Sequence, residues 1–261
     1  MIEARSESQR VPSHQARSGL FFAAMRQHAA WLEGQDYRLE YLRIDQPEAA
    51  SFSEGLSAAI QRHAPRQLLM LEPGEYGVQQ EIEQCCAAHR LALEVLDDPH
   101  FLCSRAQFAA WREGRKLLVM EHFYRHLRKE RALLMDGAEP AGGSWNFDRQ
   151  NRKGFGRAGP GSVPRPPSFA PDAMTRGALA DVQRLFPDHP GRLDAFAWPV
   201  TREQALDMLG DFVDYRLAGF GTYQDAMWTD QPLLYHSGLS AALNLKLLDP
   251  REVIDAAVAA Y

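Results

Sequence analysis

The stretch QLLMLEPGEYGVQQEIEQCCAAHRLALEVL, residues 67–96, decides the fold class. Gln67–Glu72 is a nearly continuous apolar run, which is typical of a strand covered on both faces. Pro73-Gly74 ends this strand, Tyr76–His89 has a helical pattern, and Leu91–Leu96 is a second strand. A strand, a helix and a strand in this order predict two parallel strands joined by a right-handed crossover. We therefore predict an α/β fold.

The residues before this stretch extend the α/β pattern toward the N-terminus. Residues 17–31 repeat apolar side chains at helical spacing, and Gly34 ends the predicted helix. Tyr37–Ile44 alternates with a period of two, which predicts a strand with one solvated face, and residues 53–63 predict another helix. Residues 1–13 are polar and are predicted to be a disordered leader. With only three strands, the parallel sheet is Rossmann-like but incomplete, since doubly wound sheets usually have five or six.

After Asp98 the strand pattern stops, and the rest of the chain is predicted to be helical. Residues 137–174 are rich in glycine and proline and are predicted to be a linker, because this composition buries little apolar surface. The expected domains are therefore an α/β domain over 14–136, the linker over 137–174 and the start of a helical domain over 175–261. The predicted helices in this part of the chain are 105–113, 119–135, 175–185, 201–219, 241–248 and 250–260.

The composition is that of a globular protein. Of 261 residues, 45% are apolar and 24% are charged, which excludes a wholly disordered chain. No apolar run approaches the ~18 residues that span a bilayer, and the first residues do not resemble a secretion signal, so we predict a cytoplasmic protein that does not bind membranes. The spacing of Cys85, Cys86 and Cys103 does not suit a zinc or iron–sulfur site, so we expect reduced thiols and no metal.

The net charge of −5 is unevenly distributed along the chain. Residues 101–165 contain 13 Lys and Arg against 6 Asp and Glu, and most of these bases are arginines, whose planar fork suits phosphate. A basic region inside an acidic chain is typical of polyanion binding. A solvated helix face followed by a linker explains the same counts.

The most distinctive motif is GGSWNFDRQNRK, residues 142–153, in the predicted linker. Trp145 and Phe147 are expected to anchor the linker on a domain surface. Arg149, Arg152 and Lys153 would then point toward solvent or toward phosphate, and we name them as candidate DNA-binding residues.

A second polar motif, HSGLS at residues 236–240, precedes the helical run 241–248. Hydroxyl groups and free backbone N–H groups at a helix start suit a diphosphate. A plain serine N-cap is the alternative.

Taken together, these motifs identify a family. The GGxWNFDxxNR motif resembles the linker signature of the bacterial iron–sulfur branch of the photolyase/cryptochrome family, the deoxyribodipyrimidine photolyase-related proteins. The likeness extends from about His14 to Tyr261. Its other blocks are Phe22-x-Ala24-Met25-Arg26, Glu72-Pro73-Gly74-Glu75, Gly114-Arg115-Lys116 with Met120-Glu121-x-Phe123-Tyr124-Arg125, Arg184-Leu185-Phe186-Pro187-Asp188 and Gln224-Asp225-Ala226-Met227.

The resemblance implies a light-driven flavoprotein. In the family, an N-terminal α/β domain holds a lumazine-type antenna, and a helical domain binds FAD and a [4Fe–4S] cluster. Photoexcited reduced flavin donates an electron to a UV lesion in DNA, commonly the (6-4) photoproduct. The family wraps the FAD phosphates with a Thr-Ser-x-Leu-Ser segment, and the implied cofactor-binding residues here are Ser237, Leu239 and Ser240, His236 in the place of the Thr, and Gln224 upstream.

The chain also departs from the family pattern. The family has a strand–loop–strand unit with a Gly-Asp-Gln motif before the first helix, and its four cluster cysteines lie beyond the matched region. None of the three cysteines here matches a cluster ligand. We therefore expect a monomeric fragment that binds FAD weakly or not at all, in which the strands at 37–44 and 67–72 lack direct neighbours.

Light-dependent repair of UV-damaged DNA is the function expected of the parent protein. Two alternatives remain open: a blue-light sensor without repair activity, and a non-enzymatic basic fragment that binds nucleic acid.

Overall fold

The computed structural model describes residues 1–147, 151, 153–163 and 165–261, which form two compact units. Unit 1 combines Met1–Asp98 with Ser168–Thr201, and unit 2 combines Pro99–Pro167 with Arg202–Tyr261. The helices among the described residues are α1 Arg5–Gln9, α2 Gln15–Gly34, α3 Phe52–His63, α4 Tyr76–Ala88, α5 Arg105–Arg112, α6 Met120–Glu130, α7 Ala173–Leu185, α8 Arg202–Tyr215, α9 Leu217–Tyr223, α10 Ser240–Asn244 and α11 Pro250–Ala259, with 3-10 turns at Pro47–Ala50 and Ala141–Gly143. The strands are β1 Gln67–Leu71, β2 Ala92–Leu96, β3 Met135–Asp136 and β4 Glu139–Pro140.

The sheet of unit 1 is a parallel pair, which confirms the mixed α/β class. β1 and β2 pair in register from Gln67 opposite Ala92 to Leu71 opposite Leu96, and α4 forms the crossover. The expectation that β1 is covered on both faces is wrong, because Leu69 is 58% exposed and Leu71 is 48% exposed. One face of this sheet therefore carries unburied leucines.

The predicted strand at Tyr37–Ile44 is absent as a strand, and the predicted disordered leader over 1–13 is ordered. Leu42 N donates to Met1 O at 2.8 Å, and Glu3 N donates to Leu42 O at 2.9 Å, which makes one parallel bridge between Ile2 and Leu42. Pairing stops there because the N-terminal segment turns into α1 at Arg5. This segment is fixed by burial, since Glu3 is fully buried.

These contacts also correct the expectation that two strands lack direct neighbours. The segment 37–44 has Ile2 beside it at Leu42, and β1 has β2 as its parallel neighbour.

Helix α7 lies in unit 1 and not in the helical domain to which we assigned residues 175–261. It packs along α2, where a Cβ placed on Gly19 would lie 2.5 Å from Leu179 Cδ2. The missing side chain at Gly19 allows this close approach of the two helices. Ala178 and Val182, on the same helix, are fully buried.

Unit 2 contains an aromatic cluster between α5 and α6. The rings of Trp111 and Phe123 lie 4.9 Å apart, and those of Phe108 and Phe123 lie 5.2 Å apart in an edge arrangement. Helix α5 begins with a complete capping box in which Ser104 and Gln107 satisfy each other's backbone N–H groups. The predicted helix 119–135 is shorter than expected and ends at Glu130.

The predicted linker is anchored in unit 2 by a residue that the sequence did not single out. Phe155 is 9% exposed and stacks on Tyr223 with ring centroids 4.7 Å apart. It also contacts the rings of Tyr235 and Trp228, at 6.1 Å and 6.4 Å. Phe147, which we expected to be an anchor, is 42% exposed.

Candidate cofactor cavity and nucleic-acid surface

A cavity of about 570 Å³ lies in unit 1 beside the carboxyl end of β1. This is the edge of a parallel sheet at which α/β proteins usually bind ligands, and the volume is within the range for small-molecule pockets. Gly74 and Glu75, which follow β1, form one side, and α1 and α2 form the others. The apolar part of the lining is Phe21, Phe22, Met25, Phe52 and Val78, and the polar part includes Ser8, Arg10, Ser13, Arg17, Ser18 and Glu75.

Charged groups line this cavity. Arg10 in α1's C-cap position donates from Nη2 to Glu75 Oε2 at 2.6 Å, and both side chains are about half exposed. This hydrogen bond raises the pKa of the Arg10 guanidinium above its usual value. Arg17 lies over the ring of Phe21, 5.2 Å from its centroid. The cavity therefore combines aromatic surface with guanidinium and hydroxyl donors.

A buried ionic network adjoins the cavity at Glu3. Arg26 donates from Nε to Glu3 Oε1 at 2.7 Å and from Nη2 to Glu3 Oε2 at 2.9 Å. Tyr41 Oη donates to Glu3 Oε1 at 2.6 Å, and the backbone N–H of Ile44 donates to Oε2 at 2.8 Å. Burial, followed by the hydrogen bond to Glu3, raises the pKa of Tyr41 far above its ordinary value. Glu3 is thus a fully bonded carboxylate that joins three segments of unit 1.

The predicted flavin segment forms a compact turn before α10. His236 Nδ1 accepts from Gly238 N at 3.1 Å, and Ser237 Oγ accepts from Leu239 N at 3.4 Å. Leu239 is 2% exposed, whereas Ser240, the first residue of α10, is exposed. Two of the N–H groups expected to face a diphosphate are therefore bonded to side chains of the same turn.

Gln224 caps the end of α9 and lies in the same part of unit 2 as this turn. Its backbone N–H donates to Phe220 O at 2.8 Å. The neighbouring residues bring the two segments together, because the rings of Tyr223 and Tyr235 lie 5.3 Å apart. Gln224 and His236 thus each directly follow, in sequence, one of the two rings that are in contact.

Of the three candidate DNA-binding residues, the structure describes only Lys153. Arg149 and Arg152 lie outside the described residues. Lys153 is exposed, and its backbone N–H donates to Thr222 O at 3.0 Å, which fixes it on unit 2. Trp145 is held against α6, where Arg125, Arg128 and Lys129 lie over its ring. The predicted anchoring role of Trp145 agrees with these contacts.

The cysteines do not fit an iron–sulfur cluster. Cys85 and Cys86 are buried in α4 of unit 1, and Cys85 Sγ lies 3.3 Å from Ser57 Oγ. Cys103 lies in unit 2. Across the described part of the chain, no three His, Cys, Asp or Glu side chains are grouped as metal ligands would be. Within the same residues, no helix has both the length and the apolar character needed to cross a bilayer.

A family model now connects these features. The model described as "Deoxyribodipyrimidine photo-lyase-related protein" matches residues 1–198, about three quarters of the chain. The chain belongs to this family. The match includes the whole cavity of unit 1, the basic helix α6 and the Trp145 motif, so the resemblance found in the sequence is confirmed.

Two curated proteins are similar to this member of the family. A protein named "(6-4) photolyase" from Agrobacterium fabrum is 41% identical over 263 residues, which cover 100% of this chain and 51% of the relative. The chain therefore spans about half the length of that relative. "Uncharacterized protein R852" of Acanthamoeba polyphaga mimivirus is 24% identical over 135 residues, which cover 50% of this chain and 67% of the mimivirus protein.

Sequence reasoning missed several residues that build these sites. Glu3 was part of the predicted leader, and a single acidic residue in a polar segment carries no signal of burial. Phe155 lies between two glycines, which made its surroundings resemble a free linker. Arg26 is part of the family motif in α2, and a cation within a largely apolar helix face is a usable sign of a buried ion pair.

Proposed function

We propose that this photolyase-related chain serves light-dependent repair of UV-damaged DNA, with the (6-4) photoproduct as the lesion. The observation that supports this most is the 41% identity, over the entire chain, to the (6-4) photolyase of Agrobacterium fabrum. The chain's own residues support three parts of the function: a cavity for an antenna, a segment for flavin phosphates and a basic surface for DNA.

For the antenna, the proposed site is the cavity of unit 1, and its lining fits a lumazine. Phe21, Phe22 and Phe52 offer aromatic surface to a planar heterocycle, and Ser13 and Ser18 offer hydroxyl groups to its polar substituents. When bound, an antenna absorbs light and passes the excitation to a flavin. The protein's role is to hold the ring and to exclude water from it. This assignment would make unit 1 the antenna-binding part of the chain, as the sequence predicts for its incomplete Rossmann-like domain.

For the flavin, the turn from His236 to Ser240 with Gln224 is the proposed contact with the diphosphate. The exposed Ser240 hydroxyl group is a donor for phosphate, while the Gly238 and Leu239 N–H groups would have to leave His236 and Ser237. FAD, when bound in the family, supplies the excited electron. This turn fits the phosphate end of the cofactor, and a single phosphate-binding segment cannot bury the flavin ring, so we expect weak binding of FAD by this chain.

A chimera tests the repair function. The matched half of the Agrobacterium fabrum (6-4) photolyase is replaced by this chain, and a duplex with one (6-4) lesion is irradiated with blue light. We expect light-dependent loss of the lesion, with the unmodified relative as positive control and the dark reaction as negative control. A flavin-loaded, folded chimera that binds the lesion but repairs none of it in light overturns the proposal.

The same experiment separates the two alternatives. Flavin photoreduction without repair favours a blue-light sensor. DNA binding that falls steeply with salt and ignores the lesion, with no photochemistry, favours a basic nucleic-acid-binding fragment.

A further inference from the structure

Three cations of α6 surround one indole ring in unit 2. The Arg125 and Arg128 guanidinium carbons lie 5.5 Å and 5.3 Å from the centroid of Trp145, and Lys129 Nζ lies 5.1 Å from it. Each distance is within the range of a cation–π contact. Trp145 therefore gathers positive charge into one patch, which we call the Trp145 patch, defined by Arg125, Arg128, Lys129 and Trp145.

The three cations differ in how far their charge is already compensated. Arg128 is 8% exposed and donates to Leu133 O, Leu134 O and Tyr124 Oη, so it tethers the end of α6. Arg125 donates from Nε to Glu121 Oε1 at 2.8 Å and is 42% exposed at its side chain.

Lys129 is exposed, and within the described residues its ammonium group has no hydrogen bond or ion pair. The nearby Glu130 carboxylate lies 3.6 Å from His126 Nε2 instead. Like charges held this close repel one another, and an anion placed beside them relieves the repulsion.

We propose that the Trp145 patch is a docking surface for the phosphodiester backbone of duplex DNA, with Arg125 and Lys129 as the phosphate ligands. This inference rests on the proposed repair function and extends it to residues in the α5–α6 region, away from the flavin turn in sequence. Phosphate contacts at the patch set the position of the protein on the DNA strand. They do not distinguish between base sequences or between damaged and undamaged DNA.

Two observations favour DNA phosphates over an acidic protein partner. The region from 101 to 165 that contains the patch has 13 basic against 6 acidic residues, a charge surplus suited to a repeating polyanion. The motif that begins around Trp145 also adds a further base in sequence, Lys153, which is exposed and whose backbone N–H donates to Thr222 O.

The test measures duplex binding against salt concentration by fluorescence anisotropy. The double variant Arg125→Gln/Lys129→Gln is compared with Arg66→Gln/Lys246→Gln, which removes the same charge at exposed positions outside the patch. Each phosphate contact that is lost reduces the magnitude of the negative slope of log K against log salt by about 0.9. The slope of the patch variant should therefore be smaller in magnitude than that of the wild type by about two. The loss should be equal for damaged and undamaged duplexes, and the control should keep the wild-type slope.

A second readout uses the indole directly. The fluorescence of Trp145 is the difference in emission between the wild-type protein and the Trp145→Phe variant. DNA should change this difference, because an anion beside the indole ring alters the positive charge around it. Urea midpoints of all variants confirm that they are folded.

Equal slopes for the patch and control variants overturn the inference, as does binding of polyglutamate with the same dependence on Arg125 and Lys129. These results are distinct from failure of the repair function. A chimera that repairs no lesion would still show the patch effect on undamaged duplex, and a repairing chimera with unchanged slopes would refute only the patch.

Discussion

Arg26 and Glu3 form a bidentate, buried ion pair that joins helix α2 to the N-terminal segment of unit 1. The two donor–acceptor distances are 2.7 Å and 2.9 Å, and the side chains are 6% and 0% exposed. Arg26 also donates to Asp181 Oδ2 at 2.8 Å and so reaches α7. One guanidinium thereby connects three segments that are far apart in sequence.

Loss of the Glu3 charge should destabilise unit 1 strongly. Glu3→Gln leaves Arg26 buried with only Asp181 as a charged partner, and breaking one side of a buried pair typically costs about 3–5 kcal/mol. The free energy of unfolding, measured in urea by circular dichroism, should fall by about this amount. The control Glu33→Gln, at an exposed position, should change it by less than about 0.5 kcal/mol. Equal effects of the two variants would show that the pair is not buried in solution.

Acid should destabilise the same network. Burial raises the pKa of the Asp181 carboxyl, but the hydrogen bonds from Arg184 and Arg26 outweigh this, and its pKa is lowered overall. A folded-state pKa below the unfolded value of about 4 stabilises the protein above that pH, and this contribution is lost as the pH falls through the folded pKa.

Urea titrations between about pH 3 and pH 7 check the acid effect. The free energy of unfolding should decline from about pH 5 downward, and Asp181→Asn should flatten part of this decline. An unchanged acid profile in Asp181→Asn contradicts the assignment.

The contact between Gly19 and Leu179 should make a small substitution costly. Gly19→Ala places a Cβ 2.5 Å from Leu179 Cδ2, and overpacking of this kind usually costs about 1–3 kcal/mol. At Gly34, in the same helix, a Cβ meets no atom within 4 Å, so Gly34→Ala should be neutral or slightly stabilising. Urea unfolding measures both, and in a double-mutant cycle the loss in the double variant should be smaller than the sum of the losses of Gly19→Ala and Leu179→Ala if the clash is the cause of the first.

The local part of this fold could be predicted from the sequence, and the long-range part could not. Helical spacing predicted α2 with its end at Gly34, and the apolar run at 67–72 predicted β1. Tyr37–Ile44 alternates as a strand does, but a strand also needs a partner, and Met1–Glu3 pair with it only at Leu42. Periodicity reports one segment at a time and does not reveal which segment lies opposite.

The candidate sites show the same division. The motif around Trp145 was visible because its residue types are unusual in a linker. The cations over Trp145 come from α6, and their placement depends on tertiary packing. The cavity of unit 1 was missed because its walls come from α1, α2 and the end of β1, and α1 belonged to the predicted leader.

A larger side chain that fills the cavity of unit 1 should weaken the binding of lumazine. Met25→Trp adds bulk to the lining, while Met25→Leu nearly conserves its volume. Lumazine fluorescence anisotropy should show at least about tenfold weaker binding to Met25→Trp and nearly unchanged binding to Met25→Leu, which is a difference of about 1.4 kcal/mol. Equal affinities would place the chromophore elsewhere.

The linker should be released when Phe155 is truncated, and not when Phe147 is. Phe155→Ala removes the stack on Tyr223 and its contacts with Tyr235 and Trp228, and a buried Phe→Ala change usually costs about 3–5 kcal/mol. Because a freed Gly- and Pro-rich segment is open to proteases, trypsin should then cleave faster after Lys153 and Arg157. Phe147→Ala, at a position already 42% exposed, should leave these cleavage rates close to wild type. Mass spectrometry of timed digests separates the two variants, and faster cleavage in Phe147→Ala than in Phe155→Ala would mean that the motif's own aromatic side chain holds the linker.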